Sequence, residues 1–103
     1  MNPGSAAQAS TADLVADAAL SVPGVVGLHR GAFGEVATYL PGRRVEGVRL
    51  TDRLCAVHIV VRIPADLQAV ADAVRVRVSP LVDVPVQVTI EDVHAGEREG
   101  APS

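Results

Sequence analysis

From Val45 to Ile63 the chain reads VEGVRLTDRLCAVHIVVRI. Its apolar residues recur at every second position, the period of a strand with one face in a core. In the later half, Cys55, Val57, Ile59, Val61 and Ile63 fall on one side and Leu54, Ala56, His58, Val60 and Arg62 on the other. In the earlier half, Val48 and Leu50 oppose Val45, Gly47, Arg49 and Thr51. The polar triplet Thr51-Asp52-Arg53 between them predicts a turn, and the whole stretch a β-hairpin.

The pattern on either side changes period. Ser10-Thr11-Ala12-Asp13 has the form of a capping box with Asp in place of Glu, and it predicts a helix that ends by Val22, before Pro23-Gly24. Leu14, Val15, Ala18 and Val22 are its expected buried stripe. Val25 to Leu28 predicts a short strand. Glu35 to Leu40 alternates as a strand, in preference to a short helix with Phe33, Val36, Ala37 and Leu40 on one side, and Pro41-Gly42-Arg43-Arg44 is the expected turn after it. Ala65 to Val78 carries Leu67, Val70, Ala71, Val74 and Val78 at helical spacing, with Asp66 at its start and Arg75 and Arg77 at its end. Val84 to Ile90 alternates again, and Pro85 near its start predicts an edge position or an unpaired first residue.

The order helix, strands, helix, strand predicts an α+β fold: a two-layer sandwich with both helices on one face of a mostly antiparallel sheet. One domain, residues 10–94, follows from this, between tails 1–9 and 95–103 whose small, polar, Gly/Pro-containing composition predicts disorder.

Composition narrows the function classes. The chain has 103 residues and a net charge of −3, with Phe33 and Tyr39 as its only aromatics. A weakly acidic chain supplies no basic field for nucleic acid or an anionic membrane. No stretch approaches the roughly 20 apolar residues of a spanning helix, and the first ten residues lack the basic and apolar regions of a secretory signal. The single cysteine, Cys55, cannot form an internal disulfide and fits a reducing compartment.

No constellation of catalytic residues stands out. Cys55 and His58 are three positions apart in a predicted strand, so they face opposite sides and do not share a metal ion. Gly27, Gly31 and Gly34 match no phosphate-binding loop, and no serine sits in a nucleophile elbow. No catalytic, metal or cofactor site is therefore expected. Five arginines near the hairpin, Arg43, Arg44, Arg49, Arg53 and Arg62, leave a small RNA-binding module as the alternative reading, although only Tyr39 is placed for base stacking. The sheet face away from the helices is more informative. Tyr39, Val45, Arg49, Leu54, His58, Val60 and Arg62 are expected to share it, an apolar patch rimmed by charge that suits a protein interface.

Several stretches in order resemble one family. They are Val22-Pro23-Gly24-Val25, the segment Gly34 to Arg44 leading to Gly47-Val48-Arg49, the strand Val57-His58-Ile59-Val60-Val61, the helix Val70 to Val78 and the closing strand Val86 to Val93. Over about Thr11 to Val93 the chain is similar to the alkaline-shock-protein family of Gram-positive envelope stress response proteins. That resemblance implies a non-enzymatic, cytoplasmic protein that self-associates. It also implies tethering at the inner face of the cell membrane by a small transmembrane anchor partner, with no membrane insertion of its own, and a role in cell-envelope homeostasis.

Overall fold

The computed structural model describes residues 10–94; both tails predicted to be disordered lie outside the described residues. The fold is α+β. Helix α1 (Thr11–Leu20) leads through strands β1 (Val25–Leu28), β2 (Ala37–Leu40), β3 (Arg43–Glu46), β4 (Val48–Leu50) and β5 (Cys55–Arg62). Helix α2 (Leu67–Val78), a single 3-10 turn at Ser79–Leu81 and strand β6 (Val86–His94) complete it.

The capping box forms as the sequence predicts. Ser10 Oγ accepts from the Asp13 N–H at 3.2 Å, and the Asp13 carboxylate accepts from the Ser10 N–H at 2.9 Å, so the open N–H groups of the first turn are satisfied reciprocally. The stripe behind the cap is turned from the expected one. Ala12, Val15, Ala16 and Ala19 are buried, whereas Leu14 is 45% exposed. A face of alanines lets the helix lie close to its neighbours, and the bulkier leucines are left outside. Helix α2 follows its predicted stripe through Val70, Ala71, Val74 and Val78, with Asp66 capping the Ala69 N–H at 3.0 Å. Leu67, at its first turn, stays partly exposed.

Strand β5 is the axis of the main sheet. β6 runs parallel to it from Cys55↔Val86 to Arg62↔His94. Its other edge is shared: β4 pairs antiparallel with the first half through Leu50↔Cys55 and Val48↔Val57, and β1 with the second half through Leu28↔Ile59 and Val25↔Val61. The parallel pair follows from α2, which carries the chain back across the layer between β5 and β6. Val15, Val48, Cys55, Val57, Ile59, Val61, Val74 and Val78 are completely buried between helices and sheet.

The predicted arm from Val45 to Thr51 is two strands, not one. Gly47 sits at φ +88° with the position of a Cβ running into Leu28 Cβ, so no side chain fits there and the chain changes direction. β3 accordingly folds back on β2 through Pro41-Gly42, with Leu40 opposite Arg43, so the predicted turn is shorter and both arginines lie in a strand. This corrects the placement of Val45. Expected on the open face, it is 8% exposed and packs into the core, and Ala37 and Ala56 are buried as well.

Two side chains fasten the second hairpin. Thr38 Oγ1 donates to Val48 O at 2.6 Å and accepts from the Leu50 N–H at 3.0 Å, standing in for a neighbouring strand along β4. Arg43 donates to both oxygens of Asp13 at 2.9 and 2.6 Å, joining β3 to the cap of α1. That guanidinium, followed by the Ser10 donors, holds the Asp13 carboxyl well below the usual carboxylate range.

Candidate protein-interaction face

Residues directly opposite in a sheet ladder point to the same side. The pairings Arg49↔Ala56, Ala56↔Gln87, His58↔Thr89 and Arg62↔His94 therefore put Arg49, His58, Val60 and Arg62 on one face, away from the buried row Cys55, Val57, Ile59 and Val61. Arg49 and Arg62 are exposed; His58 and Val60 are half-buried. Leu54, also half-buried, stands at the entrance to β5. Tyr39 is 70% exposed but belongs to the β2–β3 sheet, across from Arg44. Of the seven residues predicted for the interface, four thus share the main sheet's open face, Leu54 and Tyr39 lie apart from that group, and Val45 is buried.

The centre of the face is an ion-pair geometry that sequence reasoning did not provide. His58 Nδ1 lies 2.5 Å from Glu91 Oε2, in partly buried surroundings. Glu91 arrives there because the β5–β6 register slips between Ile59↔Ile90 and Val60↔Asp92, leaving Glu91 as the extra residue of a bulge. Alternation along Val84 to Ile90 gives no sign of such a slip. The main chain of His58 is also a junction: its N–H donates to Gly47 O and its C=O accepts from the His29 N–H, each at 2.9 Å.

His29 opens a tightly bonded loop over residues 29–36. Its Nδ1 accepts from the Gly31 N–H at 2.9 Å, Glu35 Oε1 accepts from the Phe33 N–H at 2.9 Å, and the Val36 N–H donates to Arg30 O at 2.8 Å. Gly31 is buried at φ +88°, and a Cβ there would meet the Glu35 carboxylate at 2.6 Å. Hydrogen bonds from the backbone of Glu35 itself and of Phe33, with smaller help from His58 and His29, hold the Glu35 carboxyl below its ordinary range. The loop displays Phe33 at 93% exposure. Both aromatic residues of the protein therefore stand on the surface, the residue type most enriched at protein contacts. Phe33 was missed in the sequence; the glycines that bracket it were its one signal.

Chemistry elsewhere is quiet. Cys55 is fully buried on the core face, and desolvation pushes its thiol up, the opposite of what a nucleophile needs. Among the described residues no group of three His, Cys, Asp or Glu side chains converges on a metal position, and no helix is long and apolar enough to cross a membrane. The two arginines central to the RNA-binding alternative are engaged with carboxylates, Arg43 with Asp13 and Arg44 with Glu46 at 2.7 Å. Compared with protein-family models, curated proteins and solved structures, the chain matches none.

Proposed function

We propose that this protein is a non-enzymatic scaffold of cell-envelope stress response. It works by protein contacts alone, self-associates, and is held at the inner face of the membrane by a small transmembrane partner. The observation that carries the reading is the sheet face uncovered by either helix, where Val60 sits between His58 and Arg62 along β5 and opposite Asp92 of β6, with Arg49 further along the same face beside Ala56. An apolar residue framed by charge is the composition of an interface, with the apolar part supplying affinity and the rim orientation. The sequence resemblance to alkaline-shock proteins supplies the envelope role and the anchor.

The test is a tagged pull-down from gently solubilised cells, with membrane and soluble fractions kept apart. Recovery of a small transmembrane protein with the wild type, and its loss in Val60→Glu with the far-UV circular dichroism unchanged, is the expected result. Recovery from the soluble fraction alone would overturn the reading.

A further inference from the structure

Strand β6 is long, and among the described residues β5 is its only strand partner. The phase of its hydrogen bonding is fixed at one end, where the Cys55 N–H donates to Pro85 O at 2.9 Å. A parallel ladder uses alternate residues of each strand. Pro85, Gln87 and Thr89 therefore face β5 with their backbone groups, while the N–H and C=O of Val86, Val88 and Ile90 point out from the sheet edge.

That edge segment, Val86-Gln87-Val88-Thr89-Ile90, has no charge, no glycine and no proline, so it lacks the usual devices that keep exposed edges apart. It is also symmetric in kind about Val88: apolar, polar, apolar, polar, apolar. We propose that two copies of this chain join here, antiparallel and edge to edge about a two-fold axis at Val88, to make one continuous sheet.

The register follows from the backbone. With the axis at Val88, Val88 meets Val88 of the second copy, Val86 meets Ile90, and Gln87 meets Thr89. In an antiparallel ladder the directly opposed hydrogen-bonded pairs exchange both bonds. Val86, Val88 and Ile90, the residues whose groups point outward, are the ones that form such pairs. An axis at Thr89 would keep Val88 opposite Ile90 but set Val86 against Asp92, beyond the bulge at Glu91. An axis at Ile90 would place Val88 opposite Asp92 and run into the bulge at Glu91. On the helix side, Val86, Val88 and Ile90 are half-buried, and their counterparts from the second copy extend that apolar row. The acidic pair Glu91-Asp92 and the Asp83–Pro85 segment bound the contact at its two ends.

This inference deepens the self-association in the scaffold reading by naming its surface, and it leaves the open face free for a different partner. Five residues a side is a small contact, so dimerisation is expected with a dissociation constant on the order of micromolar. Sedimentation equilibrium of the full chain, from low micromolar to near-millimolar, tests it. The mass should climb from 10.6 kDa toward twice that value. Val88→Pro removes an N–H that faces away from β5, a change an edge strand accommodates, and should leave a monomer at every concentration.

A pair of charge variants tests the same contact without touching the backbone. Gln87→Lys with Thr89→Lys, and Gln87→Glu with Thr89→Glu, should each be monomeric alone and dimeric when mixed, because Lys then faces Glu across the axis. A wild type that stays monomeric throughout, or a dimer undiminished in either charge variant, overturns the proposal. A monomeric wild type that still captures a membrane partner would remove this interface and the self-association with it, leaving only the anchored part of the scaffold reading; a dimer that captures none would do the reverse.

Discussion

Strands β5 and β6 run side by side with the same alternation of branched apolar residues, yet their core rows differ. Cys55, Val57, Ile59 and Val61 are wholly excluded from water, while Val86, Val88 and Ile90 are half-buried. The difference lies in the neighbours. β5 has β6 on one edge and β4 and β1 on the other, with helices above it, whereas β6 has a strand on one edge alone among the described residues. Alternation says which side of a strand faces inward; it says nothing about how many strands flank it.

The widest separation between the two strands should appear on cutting one isoleucine from each. Ile59→Ala is expected to cost about 3–4 kcal/mol and Ile90→Ala about 1–2 kcal/mol, read from urea denaturation followed by far-UV circular dichroism. Equal costs would erase the distinction. A second change attacks β5 through its shared edge. Gly47→Ala forces a side chain into a left-handed backbone and against Leu28, and should cost about 2–3 kcal/mol by the same measurement. A cost near zero would mean that the boundary between β3 and β4 does not depend on glycine.

The smallest effect belongs to the surface tie between β3 and α1. The Asp13 carboxyl is held below its ordinary range by Arg43, so the stabilisation is present above that range and is lost as the pH falls through the folded value. Arg43→Ala should lower the melting temperature slightly at neutral pH, and the gap from wild type should narrow between about pH 5 and about pH 2. A gap that widens in acid would contradict the assignment.

Much of this architecture was legible in the residues. The Ser10–Asp13 box, the rows of β5 and α2, the Ala37–Leu40 part of the strand expected from Glu35, and the two-layer arrangement depend on local periodicity and capping, which a sequence displays directly. What stayed hidden depends on tertiary placement. The buried side of α1 is chosen by which residues allow close approach, so alanines went in and Leu14 stayed out. Val45 was misplaced because the alternation passes smoothly through Gly47, where the backbone does not. On the open face, Arg49, His58, Val60 and Arg62 were foreseen together because period two puts them there; Glu91 was not given its partner, because a bulge breaks that period.

A core filled by Val, Ile, Ala and Cys, with Tyr39 and Phe33 both on the surface and no tryptophan, changes what light can report. Unfolding moves no aromatic ring out of an apolar environment, so intrinsic fluorescence should follow melting only faintly. The same emission, coming from one exposed phenol, becomes a nearly background-free indicator of anything that settles over β2. The Cys55 thiol covers the complementary event: shielded until β5 opens, its labelling rate times the exposure of the interior.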